Sequence, residues 1–356
     1  MRNSRILCCL LFILSFTLGA GQEFTLIEKW TPGDEILGRE CFSLVDKDNH
    51  IVGTFFKSGN RLIKPKEVMS FAPFGQGPGD LMDIRALFFY HDDIAFVENH
   101  GKIKVFKKEG GKYLFKEIAW LKTGKYFQFV TDGLFLDNKW FLSGGEYHSD
   151  PSRVKGEKKL SYIRILQADG KFIKNLIFKS FPDSYKSAQS DYLKHFLAAY
   201  KGNVFFLSEN ELKVHLISIK DLEAKRVVDL QIPSFYRKMP PDFYMLNDSH
   251  VDAFNVFMRD MEKWQTEYSR IHKVLVEGDY LVLQMRTCDP KLKKFALLFY
   301  HADTFKLEKT ILTNDYLLGA RNGRYYFFAN GDPGRDEEAE DLIIHIFSFG
   351  IKNEKK

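Results

Sequence analysis

Eight residues scattered along the chain are of types that do chemistry: Glu98, His100, Glu146, His148, Glu209, Arg286, Asp289 and Asp332. Carboxylates beside imidazoles can hold calcium or another divalent metal, or can pass a proton as general acid and base. They fall in short polar segments, "ENHG" (98–101), "GGEYHSD" (144–150), "SENE" (208–211), "RTCD" (286–289) and "NGD" (330–332), each following an apolar run. No local motif joins them, since HExxH, GxSxG and CxxC are all absent. Only a fold that gathers five distant loops at one place would make them a site.

The elements that could do so are strands. Phe and Tyr are abundant, at 34 and 16 residues, and the apolar residues cluster in short runs rich in β-branched and aromatic members. Six tight turns of one kind separate such runs: "LVDKDNHIVGTF" (44–55), "FYHDDIAFV" (89–97), "FLDNKWFLSG" (135–144), "AAYKGNVFFLS" (198–208), "VLVEGDYLVLQ" (274–284) and "GARNGRYYFFA" (319–329). Asp, Asn and Gly stand where a hairpin needs turn or left-handed backbone. From Ile51 through Ile94, Trp140, Val204 and Tyr280 to Tyr325 the intervals are 43, 46, 64, 76 and 45. A second set of hairpins lies between them, so each unit reads strand, turn, strand, loop, strand, turn, strand. Four antiparallel strands per unit of about 45 residues mark a propeller blade.

The sequence therefore predicts an all-β fold, a six-bladed β-propeller of four-stranded antiparallel blades filling residues 23–352 as one domain. The last unit has only three strands of its own, and "EFTLIEKW" (23–30) is expected to close the ring as its fourth. The two long intervals have sources. Polar loops at 146–159 and 180–192 lengthen the third unit, and residues 234–270 leave period two. There Val251, Phe254, Phe257, Met258, Met261 and Trp264 recur at helical spacing after Asp248 and Ser249, which predicts a helical insertion between blades four and five. In a blade, the loop between the second and third strands lies on the face where the chain enters the next blade, around the channel mouth. The eight residues named at the outset would converge there.

The segment "GQGPGDL" (75–81) resembles the G-x-G-P-G-E/D-F/L connection of secreted bacterial six-bladed propellers related to the NHL-repeat and TolB-like groups. The likeness extends over nearly the whole chain by strand pattern, but the motif occurs once. It implies the fold, and fold alone implies no activity. As a phosphate loop the segment fails: no Lys-Ser/Thr follows the glycines, and Pro78 removes an amide donor. Gly75, Gly77, Pro78 and Gly79 read as a structural turn, with Gly77 and Gly79 expected to take backbone that other residues resist.

Residues 1–20 read as a signal peptide, with Arg2 and Arg5 before an apolar run and small residues at its end. Removing them lowers the formal charge from +5 to +3, and no basic block tracks a phosphate backbone, so nucleic acid is excluded as a partner. No later apolar run is long enough to cross a membrane as a helix, and the mature chain is expected to be periplasmic or secreted and monomeric. Of the four cysteines only Cys41 and Cys288 would survive, as buried thiols rather than a bridge. "DKDNH" (46–50) begins like a calcium loop, but Ile51 and Lys57 stand where glycine and glutamate belong, so it reads as a hairpin turn. With no catalytic signature, the expected function is an exported, noncatalytic propeller binding a peptide, glycan or protein partner on the loop-rich face. The alternative is a metal-assisted hydrolase or lyase at the channel mouth.

Overall fold

In the computed structural model, six separate four-stranded antiparallel sheets follow one another along the chain. The structure describes residues 23–32, 37, 40–55, 58–98, 102–120, 129–145, 160–180, 194–238, 266–329, 331 and 342–350. Five of the sheets run in simple chain order outward from their first strand, and the sixth takes its outermost strand from the N-terminal end of the described chain, which makes the molecule a six-bladed propeller. The inner strands are Glu40–Val45, Ile84–Tyr90, Phe129–Leu136, His195–Tyr200, Ile271–Glu277 and Tyr316–Arg321, for blades I to VI. Blade VI is completed by Glu23–Trp30, which pairs antiparallel with Ile344–Gly350, so the ring closes through the N-terminal strand as the sequence predicts. Residues 1–20, read from the sequence as a signal peptide, lie outside the described residues, as does most of the segment predicted to be helical.

Local chemistry explains the hairpins. Asp137 and Asn138, Lys201 and Gly202, and Asn322 and Gly323 all have positive φ, the left-handed pairs that match a two-residue turn to the strand twist. Asp46 works differently: its Oδ1 accepts from the amides of Asp48 and His50 and holds the "DKDNH" hairpin. Between blades, alternate side chains of facing sheets form apolar layers. Trp140, Phe88, Ala95 and Val97 pack between blades II and III, and Phe205, Leu283, Leu298 and Tyr300 between IV and V. Trp140, Tyr300 and Phe205 are essentially without accessible surface. Truncating one of them to alanine is expected to cost about 3–5 kcal/mol.

Packing by alternate faces leaves the channel edge of every inner strand without a neighbouring strand, and buried amides there need other partners. Five of the six inner strands also carry an irregularity near their mouth end. The pairing register skips Cys41, Arg85, Thr131, His272 and Leu318. A bulge of this kind takes one residue off the two-residue alternation and re-aims its side chain. Among the described residues, no helix is long and apolar enough to cross a membrane.

Candidate functional site

The six inner strands enclose a cavity of about 320 Å³ along the channel. That is the lower end of the range for small-molecule pockets. Its wall changes character with depth. Near the mouth, at or just before the start of the strands, it is lined by Glu40, Cys41, Thr131, Lys194, His272 and Tyr316. Further along the same strands come Leu87, Phe88, Leu134, Phe135, Leu275 and Val276. Three of the bulged residues, Cys41, Thr131 and His272, are among the polar ones.

Several mouth side chains serve the open strand edges. Lys273 reaches from blade V to blade I, donating to the Ser43 carbonyl at 2.8 Å, to Ser43 Oγ at 3.0 Å and to Glu40 Oε1 at 3.2 Å. The Ser43 hydroxyl lies 2.6 Å from Glu40 Oε1 and 2.7 Å from the Leu318 carbonyl of blade VI, while Tyr316 donates to Glu40 Oε2 at 3.1 Å. Asp132 joins blade III to blade IV, its Oδ2 accepting from the Leu197 amide at 2.7 Å and its Oδ1 from the Gly133 amide at 2.8 Å. What surface Asp132 keeps faces the enclosed channel rather than bulk water, and desolvation pushes its pKa up to about 7 against the pull of those two amides.

Two groups at the mouth are left over. Lys194 is exposed, and among the described residues its ammonium has no hydrogen bond or ion pair. His272 packs edge-on to Phe295 at 5.6 Å and Tyr316 at 6.3 Å, yet its Nε2 is buried with no hydrogen-bond partner. Burial first, and then the charges of Arg270, Arg286 and Lys194, hold this imidazole well below its ordinary pKa, so it is neutral. Cys288, close to the same arginines and to Arg237, is pushed up by burial in spite of them. Cys41 and Cys288 are not joined in a disulfide, and both are half-buried rather than fully buried.

Of the eight residues read from the sequence, His100, Glu146, His148 and Asp332 lie outside the described residues. The other four do not line the channel cavity. Glu98 is buried, accepting from the Met82 amide at 2.9 Å and pairing with Lys104 at 3.0 Å. Glu209 is also buried; it accepts from the Lys194 amide at 2.9 Å and lies 3.9 Å from Arg270 Nη1, and desolvation raises its pKa. Arg286 covers the Phe295 ring at 5.3 Å, and Asp289 caps a turn by accepting from the Lys291 amide. Thr131, Asp132, Lys194, His272 and Lys273 were missed. Their signal is a polar residue intruding at the start of an apolar strand, as in "FVTDGLFL" and "IHKVLV".

Two features elsewhere look like sites and are filled by the protein itself. Asp46, Asp48 and His50 bring ligand atoms within 4.8 Å of one another, as a metal site would. The ammonium of Lys108 already stands among them, 2.6 Å from Asp46 Oδ2, 2.6 Å from Asp48 Oδ2 and 3.1 Å from His50 Nδ1. Tyr113 adds a hydrogen bond to Asp46 at 3.0 Å. In "GQGPGD" the wholly buried Lys104 donates to the carbonyls of Gly77, at 3.2 Å, and Asp80, while the Gly77 amide donates to Asp80 Oδ2 at 2.9 Å. The expected special backbone is not there: neither Gly77 nor Gly79 has positive φ. Space is the constraint instead. A Cβ at Gly75 or Gly77 would come within 2.4 or 2.7 Å of Asp80 Oδ2, whereas one at Gly79 would meet Phe115 at an ordinary 3.4 Å.

Fold and channel together define a six-bladed β-propeller with a polar-mouthed, apolar-walled central cavity. Two solved structures share that fold. One, described as a "Putative exported protein" from Bacteroides fragilis NCTC 9343, is 14% identical, with a TM-score of 0.55 over 91% of this chain and 94% of its own. The other, a member of the DUF4221 family from Bacteroides vulgatus ATCC 8482, is 11% identical, with a TM-score of 0.53 over 92% and 98%. No protein-family model and no curated protein matches the chain. At these identities the likeness is one of fold.

Proposed function

We propose that the protein is an exported, noncatalytic propeller that binds a peptide, glycan or protein partner on its loop-rich face, with the channel mouth receiving a projecting group of that partner. The observation that carries this is the contrast inside one molecule. The described carboxylates with catalytic potential are committed to amides and cations, while at the mouth of the cavity the exposed ammonium of Lys194 has no partner among the described residues. Export is supported by the signal-like residues 1–20 and by the description of the Bacteroides fragilis neighbour. A periplasmic or secreted monomer of the NHL-repeat-like or TolB-like kind fits these features.

The insertion between blades IV and V supports the choice of face. Its two ends are pinned side by side, the Ser269 amide donating to the Arg237 carbonyl at 2.9 Å and the Arg237 amide to Ser269 Oγ at 2.9 Å. The excursion thus leaves and returns at one point beside the first residues of the blade V inner strand. A helical segment there would form a rim to the mouth. Peptide and glycan arrays probed with the mature chain test this reading. Replacing residues 239–267 by a short Gly-Ser linker, or Lys194→Glu, should each lower binding by at least about tenfold with the melting transition retained. Binding indifferent to both changes contradicts it.

A further inference from the structure

The binding reading names a face but not the chemistry it selects, and the wall of the cavity supplies that. Around the mouth, Lys273 has its three donors engaged by Glu40 and Ser43. Both carboxylate oxygens of Glu40 are taken, by Lys273 and Ser43 on one side and Tyr316 on the other. Both oxygens of Asp132 hold backbone amides. Among the described residues, what remains to meet a ligand is a cation, Lys194, on blade IV; the neutral imidazole of His272 on blade V stands beside it with its Nε2 shut off from the cavity.

The cations Arg270, Arg286 and Lys194 all bear on His272, and Arg286, Arg270 and Arg237 all bear on Cys288. Positive charge therefore gathers on this side of the mouth, with Glu209 as the buried carboxylate set against it. A cationic ligand would enter against that field, and an anion would enter with it. Beyond the mouth the wall turns to Phe88, Leu134, Phe135, Leu197, Val274 and Leu275. At that depth the described wall offers a ligand no further charged partner, so a polyanion such as a nucleotide or a phosphorylated sugar has no place there for its second charge.

Resting on the proposal that this mouth binds a partner, we infer that it selects a single carboxylate carried on an apolar body. Lys194 takes the carboxylate, and the aliphatic and aromatic wall takes the body. A small free acid and the C-terminal residue of a peptide both present this chemistry.

Calorimetric titration of the mature full-length chain with phenylpropionate and its amide, and with N-acetyl-Gly-Gly-Phe as acid and as amide, tests the inference. At least one acid should bind about tenfold or more tightly than its amide, and which acid does so separates the free acid from the peptide terminus. Lys194→Gln should remove that preference while the amide is unaffected, and Lys194→Arg should restore it. Acid and amide binding equally, or an acid preference untouched by Lys194→Gln, overturns the inference. If neither acid binds, the carboxylate assignment falls too. Array binding by the same preparation then leaves the broader binding reading standing, and its absence removes both.

Discussion

At the seam of blades I and II, Lys104 is shared among Glu98, Gly77 and Asp80, and Lys108 among Asp46, Asp48 and His50. At the mouth beside blades IV and V, the Lys194 ammonium and the His272 Nε2 have the same chemical capacity and, among the described residues, no hydrogen-bond partner to spend it on. Both regions hold amines, carboxylates and imidazoles close together. The difference is whether the protein completes the set. A completed set fixes the chain, as the Lys104 ammonium fixes the turn between two blades, and offers nothing to a ligand. An incomplete one leaves the buried His272 nitrogen with its desolvation cost, and keeps the charge of the exposed Lys194 for a ligand.

The comparison breaks most visibly at Lys104. Lys104→Met leaves the buried Glu98 to Lys102, 4.0 Å away, in place of the cation at 3.0 Å, and denaturant unfolding should show a loss of about 3–5 kcal/mol. A loss below about 1 kcal/mol would mean that this seam is not the closed set described. Asp132 comes next. Its acid form is favoured in the folded state, so the folded chain binds more protons than the unfolded chain between the ordinary carboxylate range and about pH 7. Its contribution is most favourable below that window and is lost as pH rises through it. Compared with Asp132→Asn, the wild type should therefore lose stability from about pH 4 to pH 7, by at most about 4 kcal/mol. A difference that is flat with pH would show that the carboxyl is not desolvated.

Gly77→Ala forces Asp80 Oδ2 away from the amide it accepts from and should cost about 1–2 kcal/mol. Gly79→Ala should change stability by less than half of that, and equal losses at the two positions would point to backbone conformation rather than space. The smallest effect belongs to the open region. His272→Phe removes an unpartnered buried nitrogen and keeps a ring beside Phe295, so thermal unfolding should move by no more than about 1 kcal/mol in either direction. A large loss would place His272 with the structural residues of the first seam.

The architecture was legible because it is written locally. Asn322-Gly323 and Lys201-Gly202 announce their turns, and "EFTLIEKW" supplies the strand that blade VI lacks. The site was much less so. Glu98 and Glu209 stand in the loops where the topology puts a mouth, but their side chains turn inward to the Met82 and Lys194 amides. Nothing in their spacing reports that turn. The residues that do line the mouth hide inside strands, and Cys41, Thr131 and His272 sit at bulges, where two-residue periodicity gives the wrong face. Lys108 shows the same limit from the other side. It lies 58 residues beyond His50, and only the pairing of blades I and II brings its ammonium into the would-be metal loop.

The half-buried thiol of Cys41 lines the cavity, so it can be used to fill the mouth without rebuilding it. In a Cys288→Ser background, modification of Cys41 with a bulky methanethiosulfonate reagent should abolish partner binding on the arrays, and reduction of the adduct should restore it. Binding that is undiminished with Cys41 fully modified would contradict the assignment of the channel mouth as the binding site.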